Sequence, residues 1–210
     1  LLTSHRSIRK FTDEPVDPDL FTRLVDAAQA SASSSFLQGV TIIRVTDPGK
    51  RVALRDVAGG QAYVETAPEF LVFCADLSRP MRCCRQHGGT PAEGLTEQFV
   101  IATVDAALYA QNLVIAAESV GLGICYIGAL RNDPAKVTEL LDMPQQVYPV
   151  FGLCLGHPAQ DPEVKPRLPV SVTLKTDSYS TDGEDEAIAA YDEEMRTYYA
   201  NRSANIKIQG

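Results

Sequence analysis

Residues 92–121 read "AEGLTEQFVIATVDAALYAQNLVIAAESVG". The stretch holds no proline, and Ala, Leu and Val recur nearly all round a helical projection, so a helix formed here has to be covered on most sides. A chain of 210 residues offers limited cover for a helix that long. Either a second copy of the chain packs on it, or it runs through the core of a monomer.

The flanking segments alternate between strand and helix patterns without repeating. Downstream, "GLGICYIGAL" stops the helix at Gly121 and turns into a strand, "DPAKVTELL" is a helix capped by Asp133 with Pro134 at its first position, and "VYPVFGLCLG" is a buried strand. Upstream, "EFLVFCAD" is apolar at both parities and reads as a strand covered on both faces, and "GVTIIRVTD" is a second strand. "VDPDLFTRLVDAAQAS" gives an N-cap Asp17, Pro18 at the first helical position, and an apolar face of Leu20, Leu24, Val25 and Ala28. The pattern is one α+β domain over residues 1–210, with helices wrapped around a sheet.

Composition narrows the function. With 45% hydrophobic residues and a formal net charge of −8, the chain can bury a sizeable core but lacks the basic surface that nucleic acid or an anionic membrane requires. Neither is expected as a partner; small molecules are. No apolar run is expected to reach the roughly 20 residues that span a bilayer, and no signal peptide is expected. The five cysteines include no CxxC pair, and Cys74, Cys125 and Cys154 lie in apolar runs, which reads as reduced thiols and a cytoplasmic protein. Cys83 and Cys84 stand beside His87 without a second ligand pair to complete a tetrahedral metal site, so they are expected as surface thiols in a loop.

Against this acidic background, "SHRSIRKFTDEPV" gathers His5, Arg6, Arg9 and Lys10 within six positions. Crowded like charges call for an anion among them or for solvent. A second cationic stretch, "HPAQDPEVKPRLP", fixes Lys165 and Arg167 in a segment stiffened by Pro158, Pro162, Pro166 and Pro169. Two positions apart on extended backbone, those side chains point the same way, as half of an anion cradle or as an ordinary solvated loop.

Five blocks, taken in order, carry a resemblance: "SHRSIRKFTDEPV", "ASASSSFLQ", "GGQAYV", "VDAALYAQNLVIAAESVGLGICYIGALRND" and "FGLCLGHPAQDPEVKPRLP". Over nearly the whole chain the sequence resembles the nitroreductase superfamily, and within it the oxygen-insensitive NADPH nitroreductase and NADPH-flavin oxidoreductase group. The resemblance implies a nitroreductase-like fold, with a central mixed or antiparallel sheet flanked by helices and the long helix at a homodimer interface. It also implies FMN held at that interface, with NADPH passing a hydride to the flavin and then giving way to a nitroaromatic, quinone or flavin acceptor. Related readings are a reductase that supplies reduced FMN to another enzyme, and a flavin-binding protein without turnover.

Carried over by position, the resemblance assigns His5, Lys165 and Arg167 to the FMN phosphate, Arg6 and Ser7 to the phosphate and ribityl chain, and Arg9 to the N1–O2 edge of the ring. Ser33, Ser34 and Ser35 match flavin-contacting serines, although hydroxyls there could equally cap the first helix. Gln61 matches an amide on the polar edge of the ring, and Tyr126, Ile127 and Gly128 match the strand end lying over it. Arg202, and less closely Arg131, match cations for the 2′-phosphate of NADPH. Glu97 and Asp105 match residues that order the site or interface. No side chain is assigned a catalytic role and no metal is implied. The sequence departs from the pattern at Ala129, where a second glycine is usual, and in an excursion over about 78–94, and the helical tail of the relatives is expected to be absent.

Overall fold

The computed structural model describes residues 1–202. The chain forms two units: Leu1–Thr3 with Ser7–Gln160, and Ser4–Arg6 with the chain from Asp161 onward. In the first unit the elements are α1 (Pro18–Ala28), β1 (Val40–Arg44), α2 (Pro48–Val57), α3 (Tyr63–Thr66), β2 (Glu69–Asp76), α4 (Ser78–Gln86), α5 (Thr96–Ser119), β3 (Gly123–Ile127), α6 (Pro134–Leu140) and β4 (Val147–Gly156). The second unit carries α7 (Val170–Thr173) and α8 (Glu184–Asn201).

The four strands form one sheet in the order β1-β2-β4-β3, antiparallel at every pairing. Period-2 alternation divides β2 between two cores. Leu71 and Phe73 join α1 and α5 on one face, while Phe70, Val72 and Cys74 join residues of α2 and α6 on the other. Every position of β2 is buried; the apolar run over 70–75 requires cover on both faces, and the carboxylates at its ends are paired, Glu69 with Arg44 and Asp76 with Arg79. Each large side chain removed from water here contributes about 1.5–3 kcal/mol.

The caps fall where the sequence places them. Asp17 accepts from the Leu20 amide at 2.7 Å and Asp133 from the Lys136 amide at 2.9 Å. The buried face of α1 is Phe21, Leu24 and Ala28, with Leu20 and Val25 only partly covered. The long helix ends where expected, with Gly121 at φ +81 just beyond it.

Two expectations need correction. The cysteines at 83 and 84 lie on helix α4 and not in a loop. The Asp76 carboxylate accepts from the Arg79 amide at 3.2 Å near the start of α4, and Met81 anchors the helix to the core. Cys83 stays exposed, and Cys84 is half-buried. Also, α5 is by length and composition apolar enough to cross a bilayer, because its polar residues are too sparse to lower the average. It nevertheless packs on the sheet through Ala102, Ala106, Ala110, Leu113 and Ala117, and buries Asp105, which is the placement of a core helix.

All five cysteines are free thiols. Burial pushes Cys74 up to about 12 and drives Cys154 well above its usual value, so these groups behave as small hydrophobes.

Candidate functional site

In the first unit, residues after Ser7 run beside the edge strand β3, with the Ile8 amide donating to Ile124 O at 2.8 Å. Gly123 permits this approach, since a Cβ there would meet Ile8 Cγ1 at 2.6 Å. Arg9, the next residue, is exposed, and its positive charge lies near the Tyr63 hydroxyl. Tyr63 in turn donates to Gln61 Oε1 at 2.8 Å. Gln61 is thus held by a phenol that was not nominated and that also feels the Arg9 charge. Burial raises the Tyr63 pKa while the Arg9 charge pulls it back. The signal was present in "GGQAYV", where an aromatic with a polar tip follows Gln61 at the start of a helix.

The strand end places its three residues differently. Tyr126 stands edge-on to Phe151 at 5.2 Å, and burial pushes its pKa up to about 12, so the phenol stays protonated. The Ile127 side chain is 1% exposed within the second core, leaving only its backbone for a ligand. Gly128 opens a 3₁₀ turn, Gly128–Asn132, where a Cβ would lie 3.0 Å from Arg131 Nη2. Arg131 Nη1 donates to Val150 O at 2.8 Å, which fixes the turn. Ala129 has no positive φ, so its methyl group is unstrained and packs against the second core.

Ser33, Ser34 and Ser35 do not cap α1. Asp105 on α5, 2% exposed, accepts from Ser33 Oγ at 2.7 Å, Ser34 N at 3.3 Å and Gly39 N at 2.9 Å. Ser33 Oγ itself accepts from the Gln38 amide at 2.7 Å. The loop holds three non-glycine residues at positive φ, Ser35 (50), Phe36 (53) and Gln38 (52), a conformation that persists when the surroundings enforce it. Asp105 is that enforcement; Glu97 is exposed in the first turn of the same helix.

Topology keeps the serines apart from the Arg9 group. The serine loop leads into β1 at Val40, which aligns through Ala75 with Tyr148 on β4; the Arg9 segment joins β3 at Ile124, which aligns with Leu155. The two sets occupy opposite corners of the sheet, three strand spacings (about 14 Å) across and seven residues (about 23 Å) along.

The second unit gathers the other cations. Arg6 pairs with Asp161 through Nη2 and donates from Nη1 to Ser4 O at 3.0 Å. Its Nε–H is buried and finds no acceptor among the described residues. His5 belongs to the same unit as Lys165 and Arg167. Lys165 Nζ lies 5.3 Å from the centre of the Tyr199 ring, and the Arg202 guanidinium lies 4.7 Å from it. Arg167 Nη1 donates to Lys165 O at 2.9 Å, and Tyr191 donates to Pro166 O at 3.4 Å. A buried guanidinium N–H lacking an acceptor, in a unit that also holds His5, Lys165 and Arg167, fits a phosphate. The residues present therefore suit FMN.

Comparison with known proteins agrees with this chemistry. The model of the nitroreductase family matches residues 2–157, and that of the nitroreductase family C-terminal domain matches residues 165–209. The chain is 46% identical over 207 residues to the oxygen-insensitive NADPH nitroreductase of Salmonella typhimurium, covering 99% of this chain and 84% of that protein. It is 45% identical over 206 residues to the FMN reductase (NADPH) of Bacillus subtilis, covering 96% and 83% respectively. The solved structure of NADPH:FMN oxidoreductase from Vibrio harveyi complexed with NAD+ superposes with a TM-score of 0.89 at 47% identity, over 95% of this chain and 84% of that one. With the family model spanning the sheet and both of its cores, and relatives matching nearly end to end, the chain belongs to the nitroreductase family.

Proposed function

We propose that this chain is a cytoplasmic, FMN-dependent oxidoreductase that oxidises NADPH and reduces nitroaromatics, quinones or flavins by ping-pong two-electron transfer. The observation that carries the reading is the buried Arg6 Nε–H without an acceptor, in the unit that also holds His5, Lys165 and Arg167. These four residues take the phosphate, with Ser7 on the ribityl chain. When bound, the flavin supplies hydride acceptance and return. Arg9 holds positive charge at the ring edge where reduction builds negative charge, which favours the reduced form. Gln61 and the backbone of Tyr126, Ile127 and Gly128 orient the ring. Arg202, preplaced against Tyr199, receives the 2′-phosphate of NADPH; Arg131 is the lesser candidate because its Nη1 is committed to Val150.

The same reading makes the enzyme a homodimer. Val100, Val104 and Leu108 recur every four residues on α5 and are exposed, forming an apolar stripe opposite the face that packs on the sheet. Because the serines and the Arg9 group lie at opposite corners of one chain, Ser33, Ser34 and Ser35 serve the flavin of the partner subunit.

Purified protein is expected to be yellow, to bleach on anaerobic addition of NADPH, and to recover its colour when a nitroarene is added. Colourless protein that stays free of FMN after soaking, or yellow protein that NADPH leaves unbleached, overturns the proposal. Within this scheme Tyr63 positions Gln61. Tyr63→Phe removes the hydrogen bond to Gln61 and the polar tip beside Arg9, and slows NADPH-driven flavin reduction about five- to tenfold with FMN still bound, read by stopped-flow absorbance. An unchanged rate removes Tyr63 from the site.

A further inference from the structure

Helix α4 has no task in the proposed flavin chemistry, yet its first turn is tied to the serine loop. Arg79 leaves α4 and reaches the start of β1. Its Nη1 donates to Gln38 O and to Val40 O, each at 3.2 Å, and its Nη2 donates to Val40 O at 3.2 Å. The fork therefore grips the two carbonyls that flank Gly39, where the chain leaves the loop carrying Ser33, Ser34 and Ser35. The guanidinium is itself aimed. Asp76, whose side chain is 9% exposed, lies 3.1 Å from Nη2 and also accepts from the Thr41 hydroxyl at 2.6 Å.

The peptide between Gln38 and Gly39 is held at both ends. In a trans peptide the C=O and the N–H point in opposite directions. Gln38 O meets Arg79 on α4, and Gly39 N–H donates to Asp105 on α5 at 2.9 Å. Rotation of that plane breaks one bond or the other. Gln38 stands at φ +52, and it cannot return to negative φ without moving either this peptide or the serine segment before it. Its own N–H donates to Ser33 Oγ at 2.7 Å. A continuous line of contacts thus runs from the Arg79 guanidinium through the Gln38 backbone to the Ser33 hydroxyl.

We propose that Arg79 is a positioning residue for the flavin site, acting through Gln38 to hold Ser33, Ser34 and Ser35 in the geometry that meets FMN. The assignment rests on the reading that these serines contact the flavin. It depends on the fork and not on the charge alone, because two carbonyls on either side of a glycine call for a planar group with several fixed donors. Lysine keeps the charge but presents a single ammonium, which reaches one carbonyl at a time.

The test compares Arg79→Met and Arg79→Lys with the parent full-length chain. FMN affinity is read by fluorescence titration of apo-protein, ring environment by visible circular dichroism at saturating FMN, and loop order by hydrogen exchange at the Gln38 and Gly39 amides. Arg79→Met is expected to raise the Kd for FMN about tenfold, to change the flavin dichroism, and to speed exchange at both amides about tenfold. Arg79→Lys should fall between parent and Met variant. The Arg79 side chain is 45% exposed, so both variants are expected to fold, checked by Tm. A Met variant that matches the parent in Kd and dichroism, even with a lower Tm, reduces Arg79 to a packing role and overturns the proposal while the flavin reading stands. Full recovery in Arg79→Lys overturns it as well, since charge alone would then suffice. A parent protein that takes up no FMN sinks the flavin reading and this assignment with it.

Discussion

Replacing Lys165 and Arg167 together by alanine is expected to leave a folded protein that releases its flavin. Each cation offers a charge-assisted hydrogen bond to phosphate, about 1.5–3 kcal/mol apiece. Two such losses convert to a rise in Kd for FMN of about 100- to 10,000-fold at 1.4 kcal/mol per decade. Both side chains are exposed, so solvent screening moves the expected value toward the lower end of that range. Their exposure also means that truncation costs the fold little, beyond the packing of Lys165 against Tyr199. Fluorescence titration of the apo-protein with FMN reads the affinity, and far-UV circular dichroism checks the fold. The parent protein should bind more weakly as salt is raised, and the double variant should lose most of that dependence. A double variant that keeps its flavin through gel filtration at high salt sinks the assignment of these cations.

Most of the framework was readable because its causes are local. Asp133 and Pro134 specify the start of α6 within four residues, and the apolar run over 70–75 in β2 demands cover on both faces wherever the chain places it. Helix α4 escaped because its sequence is rich in arginine, with Met81 the single buried side chain, and its cap comes from Asp76 at the end of the preceding strand. The site was readable as a set of residue types but not as an arrangement. Ser33 and Asp105 are 72 positions apart, and nothing in either segment announces the other. Positive φ at Ser35, Phe36 and Gln38 leaves no glycine behind to mark it. The strand order β1-β2-β4-β3 separates the serines from Arg9, and that order depends on long-range pairing that no local pattern encodes.

Asp105 is where that separation becomes testable. In Asp105→Ala the Ser34 and Gly39 amides and the Ser33 hydroxyl lose their common acceptor at a site where the carboxylate is 2% exposed. At about 1–3 kcal/mol per buried group left unpaired, partly relieved by water, the cost is about 3–6 kcal/mol, and Tm should fall by about 10–15 °C. Asp105→Asn keeps one oxygen that can accept but turns a donor toward another donor, so about half that loss is expected and the variant remains usable. With its anchor weakened, the loop relaxes away from positive φ and the serines lose their positions. A mixed dimer then discriminates between the two possible clients of the loop. One subunit carries Asp105→Asn and the other Lys165→Ala with Arg167→Ala. If the serines serve the partner, one site combines an intact loop with intact cations while both defects fall in the other site, and the dimer holds about one FMN. If the serines serve their own chain, each site inherits one defect, and both bind FMN weakly. Counting tightly bound flavin per purified mixed dimer separates the cases, and two equally weakened sites would rule out the crossed arrangement while leaving the role of Asp105 in the loop intact.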